Sequence, residues 1–474
     1  MFSTYFALWF GYLAILLIFG LLLKKRVRNV DDFFFASRKL KASPMSFSLA
    51  ASWIGATSIL VVTDEACRQG LGSLWLVGIP AWLTVVLMAI ALAKPMRRSS
   101  GFALQELLEA RYGSAMRRLA SLVIFWYLLM LAASQLVALG TFLKLFLQRD
   151  YYFSLIIGLL AVLIYTSLGG LISVVTNDLF QSFFLLTGLM ILFLTLLIKI
   201  NNLGGLAQLE ASFWPYLGLF SNIKKNSLMA LSFTLAWLIS PIAWQRVHAA
   251  QNLVTARKGL WLTSIIFAII YPIISFLGIL GRRFYEPENE GSPLLAWLIM
   301  NGPIANWLKG LLFIAIVAAI LSTLDTAINS SCLFLSREII GLSQRNFLTQ
   351  PLRFSRLTNL AVGFLAFLVA TQFRNILQTI GLASEIMAEG LFIPVVAMFF
   401  LRGQAKLAGL LSLSLGTFFS LGSFLSGAGF IKVTWPTWPV SLPYGLALSL
   451  FGFGLGLLMA KLWKNKTTQI DDHK

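Results

Sequence analysis

The sequence predicts an all-α membrane protein that crosses the bilayer many times, and three observations lead to this prediction. Hydrophobic residues make up 58% of the 474 residues and charged residues only 12%, whereas a soluble globular protein is about 25% charged. The mean hydropathy is +0.83. Apolar runs of roughly 20 residues, enough for a helix to cross a hydrocarbon layer of about 30 Å, recur along nearly the whole chain. We therefore expect the lipid bilayer to surround most of it.

Thirteen transmembrane helices are predicted, each an apolar run bounded by charged residues or by glycine and proline. The first run has no basic residue before it and several after it, between Lys24 and Arg38. A secretory signal peptide has the opposite polarity, so this run is interpreted as a retained helix with its N-terminus outside. The thirteen segments are 5–23, 44–64, 73–95, 119–147, 152–168, 176–199, 227–247, 259–281, 307–333, 356–373, 376–401, 405–428 and 439–463.

The basic residues follow the predicted topology. A net charge of +19 would point to nucleic acid in a soluble protein. With the N-terminus outside, however, 26 of the 37 lysines and arginines fall in segments predicted to be cytoplasmic, as the positive-inside rule requires. These segments are 24–43, 94–118, 246–258, 334–356, 402–406 and 461–474. The sequence thus predicts no nucleic-acid partner, a cytoplasmic C-terminus and the inner membrane of a bacterium as location.

The sequence lacks the residue patterns of a membrane enzyme. Cys67 and Cys332 lie in different segments, and His248 and His473 are the only histidines, so no redox or transition-metal pattern is present. There is no His-Glu-x-x-His element and no nucleophile elbow. We therefore expect neither catalysis nor an organic cofactor.

The order of the helices predicts an internal repeat. Five helices over 44–199 are followed by an outer loop, 200–226, and by five helices over 227–401. Because five is odd, the second set starts from the opposite face, which makes the repeat inverted. Residues 1–43 then form an extra N-terminal helix and loop, and 402–474 form two C-terminal helices and a short tail.

The first helix of each repeat is interrupted at a similar depth. One helix is interrupted by a glycine and two hydroxyl residues, Gly55, Thr57 and Ser58. The other is interrupted by Ser240 and Pro241. Paired breaks of this kind are typical of the binding site of a transporter. The alternative is that glycine and proline merely kink these helices, as they commonly do in membranes.

Five stretches of sequence, in order, resemble the sodium:solute symporter family, which includes sodium-coupled transporters of proline, sugars, pantothenate and monocarboxylates. The stretches are Asp32–Arg38, Ser48–Ser58, Tyr165–Leu171 with Thr176–Gln181, Trp244–Ala250 and Ala318–Asp325. The resemblance implies a leucine-transporter-like fold with a 5+5 inverted repeat, one extra N-terminal helix and two extra C-terminal helices. It also implies sodium as the coupling ion.

The resemblance implies a sodium site on the first core helix and the eighth, at Ala51, Ile54, Ala319, Ser322 and Thr323. A hard monovalent cation needs oxygen ligands, whereas a divalent ion would ask for several carboxylates. Unwinding after the first core helix frees carbonyl groups that a continuous helix would occupy. The alternative is that the two hydroxyl groups only bond back to carbonyls one turn earlier.

Three polar residues of the predicted helices extend this set. The resemblance gives Asp178 a role in the inner sodium pathway, and Asp325 is predicted near the same face. Two carboxylates there would attract and release a cation, although each could instead be a solvated or arginine-paired residue at a helix end. Gln135 resembles a Gln-Leu element of the third core helix that contacts solute, and the alternative role is an interhelical hydrogen bond.

Departures from the family concern the solute. Trp237 matches an aromatic residue of the sugar-transporting branch, but Ala236 and Phe233 replace its gating tyrosine and a polar sugar contact. Thr57 and Ser58 replace longer polar side chains. A hexose is therefore not expected.

Glu385 and Glu389 lie near the predicted midplane of the eleventh helix, on one face because of their i, i+4 spacing. We expect them to attract the ammonium of a zwitterionic or cationic solute, or to carry a proton, since two such carboxylates cannot both ionise cheaply in lipid. The alternative is a structural pair that bonds to nearby backbone.

Together these features predict a sodium-coupled symporter that imports a small organic solute by alternating access, an amino acid or another zwitterionic or cationic metabolite. Two alternatives stay open: a proton-coupled transporter of the same fold, and a solute sensor that acts through a separate partner. The sequence indicates no oligomeric state.

Overall fold

The computed structural model describes residues 2–98, 104–202, 216–285, 292–336, 351–373, 375–401, 405–427, 429, 431 and 435–471. Nearly all of these residues lie in helices. The helices are α1 (Phe2–Lys24), α2 (Val30–Phe35), α3 (Ala42–Trp53), α4 (Val62–Gln69), α5 (Gly78–Leu87), α6 (Ala93–Arg98), α7 (Leu104–Tyr112), α8 (Ser114–Leu147), α9 (Tyr151–Asn202), α10 (Ile223–Leu238), α11 (Pro241–Ala249), α12 (Leu253–Gly281), α13 (Leu294–Met300), α14 (Asn306–Phe334), α15 (Leu352–Gln372), α16 (Ile376–Ile386), α17 (Phe392–Phe400), α18 (Lys406–Gly427) and α19 (Leu442–Asp471).

Eleven helical spans among the described residues are long and apolar enough to cross a membrane. Large apolar side chains such as Leu22, Phe183 and Phe418 are exposed on the outer helices, an arrangement that suits lipid and not water. The chain is therefore an all-helical, multi-pass membrane protein. Each of the thirteen predicted segments overlaps a helix, but their number and direction stay a prediction.

The structure has eleven spans where thirteen helices were predicted, because two of the spans each contain two predicted helices. In both spans the helical conformation continues across the break. The span Thr57–Arg97 contains a tight turn at Gly70–Trp75. The span Tyr151–Asn202 contains Gly170, whose φ of +50° favours glycine and bends α9 between two predicted helices. A side chain at Gly170 would also collide with the Phe33 carbonyl group.

Both predicted helix interruptions are present. Helix α3 ends at Trp53, and a π-helical turn over Thr57–Val61 leads into α4. Helix α10 ends at Leu238, and α11 begins at Pro241, where the missing N–H and fixed φ of proline suit a first helical turn. The two interruptions therefore leave unpaired backbone groups inside a helical protein.

Helix α14 is the central element. It packs against α8 and α9 and also contacts α3, and its small residues Ala315, Ala318 and Ala319 are buried. Small side chains let helix backbones approach closely, which matters in lipid, where burying apolar area gives little advantage. The close approach brings the broken end of α3 against the middle of α14.

Three of the sequence motifs meet at one end of this core. The Phe34 carbonyl group accepts a 2.8 Å hydrogen bond from Gln245 Nε2, and Leu40 pairs with Ala250 in a short parallel bridge. Together with the contact of Gly170 on Phe33, these bonds attach the loop before α3 to α9 and α11.

The C-terminal helices α18 and α19 pack on each other and on another π-helical turn, Met387–Leu391, between α16 and α17. Their hydroxyl groups Ser412 and Ser449 are hydrogen-bonded at 2.9 Å. We refer to α18 and α19 as the C-terminal hairpin.

Candidate functional site

The predicted ion site brings oxygen atoms of α3 and α14 together. The Ser322 hydroxyl group lies 2.8 Å from the Ala51 carbonyl oxygen and 3.0 Å from that of Ala319. The Thr323 hydroxyl group lies 3.4 and 3.3 Å from the same two oxygens. Ile54 ends α3 with ψ of 64°, outside the helical range. The structure thus gathers Ala51, Ala319, Ser322 and Thr323 at one junction. Ile54 directly precedes Gly55, where a Cβ atom would lie 2.5 Å from Thr323 Oγ1.

The alternative role of the two hydroxyl groups, bonding one turn back within α14, accounts for only part of this geometry. Ser322 and Thr323 do reach the Ala319 carbonyl, but each also reaches across to Ala51 on the other helix. Neutral hydroxyl and carbonyl oxygens that converge from two helices are the ligands that a hard monovalent cation prefers. The residues present therefore fit a monovalent cation.

Gln135 on α8 holds the interruption of the first core helix. Its side-chain oxygen accepts a 2.9 Å hydrogen bond from the backbone N–H of Ala56, which the broken helix leaves without its usual partner. A Cβ atom at Gly55 would lie 2.5 Å from Thr323 Oγ1 and 2.7 Å from Gln135 Oε1. Only glycine allows α8 and α14 to pack this closely on the break.

A narrow cavity of about 30 Å³ adjoins this junction. Its lining is polar near the break, with Ser52, Thr57, Ser58, Gln135 and Thr323, and aromatic elsewhere, with Trp53, Tyr127 and Trp237. Among the described residues that line it, none is charged. Because ligand cavities usually measure about 300 to 1,000 Å³, side chains must move before a solute can enter.

The aromatic side chains of the cavity form one packed group. The ring centroids of Trp53 and Trp237 lie 5.7 Å apart, and Trp237 stacks on Phe233 at 4.9 Å. Ser58 is already bonded, to the Trp53 carbonyl and the Tyr271 hydroxyl. The Thr57 hydroxyl group is buried without a partner, so it is free to bond to a solute.

Sequence reasoning missed Ser52, Trp53 and Tyr127. Tyr127 stands eight residues before Gln135 in α8, which places it on the same helix face two turns away. Ser52 and Trp53 directly precede Ile54 at the end of α3. Proximity to the break and to Gln135 was the signal that could have identified all three.

Ser240, Glu385 and Glu389 are not among the residues that line this cavity, so their contact with a solute stays a prediction. Ser240 precedes α11, and its carbonyl accepts from the N–H of Trp244 in the first turn. On the same helix as the Glu pair, Ile380 does line the cavity. Five residues turn an α-helix by about 140° beyond a full turn, so Glu385 points toward the C-terminal hairpin instead.

Asp178 forms a buried ion pair. Its Oδ2 accepts a 2.5 Å hydrogen bond from Ser48 and lies 3.7 Å from a terminal nitrogen of Arg246. Arg246 also donates to Ser52 at 3.2 Å and to Thr326 at 2.8 Å. All these side chains are buried. The solvated alternative is therefore wrong for Asp178 and the arginine-paired alternative describes its contacts. Its role in the ion pathway stays a prediction.

Asp325 is also fully buried, contrary to the solvated alternative. Its Oδ2 accepts a 2.8 Å hydrogen bond from the Tyr165 hydroxyl group, while Oδ1 has no partner. It interacts electrostatically with both Asp178 and Arg246. Asp325 thus lies near the ion pair of Asp178 and Arg246, three residues after Ser322 and two after Thr323 along α14.

Two interrupted membrane helices, with a neutral oxygen site between one of them and a central helix and a small cavity beside it, define a secondary transporter. The chain belongs to the sodium:solute symporter family, whose model matches residues 33–415. It is a transporter and not an enzyme.

Two known proteins are similar to this chain over most of its length, and a third is similar over about a third of it. An uncharacterized symporter of Bacillus subtilis, YwcA, is 23% identical over 96% of this chain and 94% of its own length. The human sodium/iodide cotransporter is 31% identical over 161 residues, which are 34% of this chain and 25% of that protein. A solved structure of a Na⁺-coupled sialic acid symporter in a substrate-bound, outward-open state has a TM-score of 0.79 at 20% identity, over 96% of this chain and 98% of that one. The last comparison shows a shared fold.

Proposed function

We propose that this protein is a sodium-coupled symporter that moves a small organic solute into a bacterial cell by alternating access. One observation carries the proposal: Thr323 belongs both to the oxygen cluster between α3 and α14 and to the lining of the cavity. An ion and a solute bound at these two places would therefore be neighbours. The family membership of the chain supports sodium as the ion.

In this proposal sodium is bound by carbonyl oxygens of Ala51, Ile54 and Ala319 and by the hydroxyl groups of Ser322 and Thr323. A bound cation would hold the broken end of α3 against α14. It would thereby fix Thr323 and the adjacent Gly55 in the positions that shape the cavity. Coupling then requires reciprocity, because sodium must raise solute affinity by the same factor by which the solute raises sodium affinity.

The cavity supports a solute with a positively charged ammonium group. Trp53, Tyr127 and Trp237 offer π faces that attract such a cation. Thr57 and Gln135 supply hydrogen-bonding groups. The absence of a charged side chain from the described lining disfavours a solute with a net negative charge. We therefore propose a compact zwitterionic or cationic metabolite, and not a hexose.

Asp178 and Asp325 are proposed to lie on the route by which sodium leaves. They stand beyond Ser322 and Thr323 from the cavity, and Arg246 compensates the charge of only one of the two carboxylates. The remaining negative charge would attract a cation that leaves the neutral site.

We further propose thirteen crossings with the N-terminus outside and the C-terminus in the cytoplasm. Residues 44–199 and 227–401 are then inverted repeats, and the interruptions in α3–α4 and α10–α11 occupy corresponding positions. One repeat would rock against the other to open the cavity alternately to each side.

The test is uptake into proteoliposomes of a labelled panel of amino acids, amines, carboxylates, vitamins and sugars. We expect one cationic or zwitterionic solute to accumulate under an inward sodium gradient and not when potassium replaces sodium. Ser322→Ala should weaken this dependence, while the matched control Ser412→Ala, a buried serine of the C-terminal hairpin, should not. Accumulation driven equally well by a proton gradient without sodium would contradict the proposal.

A further inference from the structure

Glu385 and Glu389 form a second buried polar cluster that the ion site and the cavity do not use. Both side chains are fully buried between α16, the π-helical turn Met387–Leu391 and the C-terminal hairpin. Glu385 accepts a hydrogen bond from Ser441. Its other carboxyl oxygen and both carboxyl oxygens of Glu389 have no partner that satisfies normal hydrogen-bond geometry.

The surroundings are built to receive these two carboxyl groups. A side chain at Gly445 in α19 would overlap the Glu389 carboxyl group, and one at Gly416 in α18 would overlap the Glu389 backbone carbonyl. Ser423, also fully buried and without a partner of normal geometry, faces Glu385 from α18. Both helices of the C-terminal hairpin therefore have a glycine where the pair approaches them. In addition, α18 directs the hydroxyl group of Ser423 toward Glu385.

No positive charge compensates the pair. Neither carboxyl group has a salt-bridge partner among the described residues, and the only titratable group that each contacts is the other. The charged residues of the helices packed on the pair lie near helix ends: Arg117, Arg118, Lys144, Lys224, Lys225, Lys406, Lys461 and those beyond it in α19. Lys406 precedes Gly416 by ten residues, about 15 Å along the helix.

The two carboxyl groups are neighbours, because residues four apart stack on one face of a helix, and each acts electrostatically or through its side chain on the other. Two ionised carboxylates can only accept hydrogen bonds, so neither can satisfy the unpaired oxygens of the other, whereas a proton on one group lets it donate to its neighbour. Two adjacent carboxylates without a counter-charge in a dry site also repel each other, and sharing one proton relieves this repulsion.

We propose that Glu385 and Glu389 form a proton-binding pair that holds one shared proton at the junction of the cavity-lining helix and the C-terminal hairpin. Ile380 of the same helix lines the central cavity, so movement of α16 on solute binding would shift the pair against Ser441 and Gly445. Binding of the proton would then be linked to the conformation of the transporter. This second part rests on the proposed transport function.

The first experiment needs no transport. Infrared spectra of the purified full-length protein are compared for the wild type and for Glu385→Gln/Glu389→Gln near neutral pH. We expect the difference spectrum to show loss of a C=O stretch of a protonated carboxyl group, in sodium and in potassium buffer alike. Glu65→Gln, a matched change at a half-buried residue, should not remove this band. The absence of the band from the difference, or its disappearance on adding sodium, would overturn the proton assignment.

Single variants protect the test against misfolding. Glu385→Gln and Glu389→Gln each keep nearly the same shape, and the amide can donate to the remaining carboxylate. Each should fold and should lose the band, because the amide then makes the hydrogen bond that the shared proton made. If the single variants fold and keep the whole band, the proposal is wrong.

The second experiment measures solute uptake against pH. Alkaline pH should slow wild-type uptake, because removal of the shared proton places two negative charges next to each other in a site without water. The pH profile of Glu385→Gln/Glu389→Gln should be flatter. The profile of Glu65→Gln should match that of the wild type. Identical profiles in all three proteins would overturn the link to conformation. A wild type that takes up no solute would instead contradict the proposed function and leave the infrared result as the measure of the proton site.

Discussion

The side-chain oxygen of Gln135 accepts a 2.9 Å hydrogen bond from the backbone N–H of Ala56, so a residue of α8 completes the broken first core helix. The same side chain lines the cavity and touches the space beside Gly55. The interhelical hydrogen bond, which was the alternative role of Gln135, is therefore present, and its contact with a solute stays a prediction.

Replacing Gln135 by alanine should therefore lower both stability and solute affinity. An unpaired buried N–H costs about 1 to 3 kcal/mol, and the side chain leaves a gap next to Gly55. The melting temperature in detergent and the KM for uptake measure the two effects. Gln378→Ala, a partly buried glutamine that bonds to the Gly427 carbonyl at the periphery, is the control. Equal effects of the two variants would argue against this role of Gln135.

Removing a hydroxyl group from the ion site should weaken sodium binding. Ser322→Ala and Thr323→Ala should each raise the sodium concentration for half-maximal uptake by roughly 5-fold to 150-fold, which corresponds to about 1 to 3 kcal/mol for one lost polar ligand. Thr323→Ser keeps the hydroxyl group and should stay near the wild-type value. An unchanged sodium dependence in both alanine variants would show that the ion binds elsewhere.

The tryptophan of α10 tests the class of solute. Trp237→Ala should raise the KM of a cationic solute by about 2-fold to 30-fold at saturating sodium, the range of a cation–π contribution of ~0.5 to 2 kcal/mol. Trp237→Phe should lose less, since the ring face remains. Trp307→Ala, an exposed tryptophan at the start of α14, is the matched control. A KM that does not respond to Trp237→Ala would exclude π recognition.

The ion pair of Asp178 and Arg246 should behave as a unit. Asp178→Asn and Arg246→Gln each leave a buried charge without its partner, which typically costs about 3 to 5 kcal/mol. The double variant removes both charges and should be less destabilised than the sum of the single variants. Thermal unfolding of the three variants in the same detergent measures this coupling. Additive losses would mean that the 3.7 Å contact contributes nothing.

The proposed topology can be measured with single cysteines. Ser3→Cys and Thr467→Cys, in a background that lacks the buried Cys67 and Cys332, should react with an impermeant maleimide from opposite sides of the membrane. Reaction of both from one side would contradict an odd number of crossings and remove the argument for inverted repeats.

The helical segments and the position of both interruptions could be predicted from the sequence. Membrane helices are recognised by the length of their apolar runs, and glycine or proline interrupts them locally. The meeting of Ala51 with Ser322 and Thr323 could also be predicted, since these residues belong to motifs of a family. That they bind the ion stays a prediction. Contacts between helices could not. Whether Glu385 faces the cavity or the hairpin depends on the rotation of α16 about its axis, and Trp53 and Tyr127 meet only after α3 and α8 have packed.

The cavity has the capacity of about one water molecule, and this has a consequence for leakage. Because Trp53 and Trp237 pack against each other at this cavity, we expect no continuous column of water past the broken helices within the described part of the chain. A transporter that changes from inward-facing to outward-facing without solute, and with its cavity closed in this way, would also be closed to ions. The protein should therefore dissipate little of the sodium gradient when solute is absent, because it offers sodium no open pore.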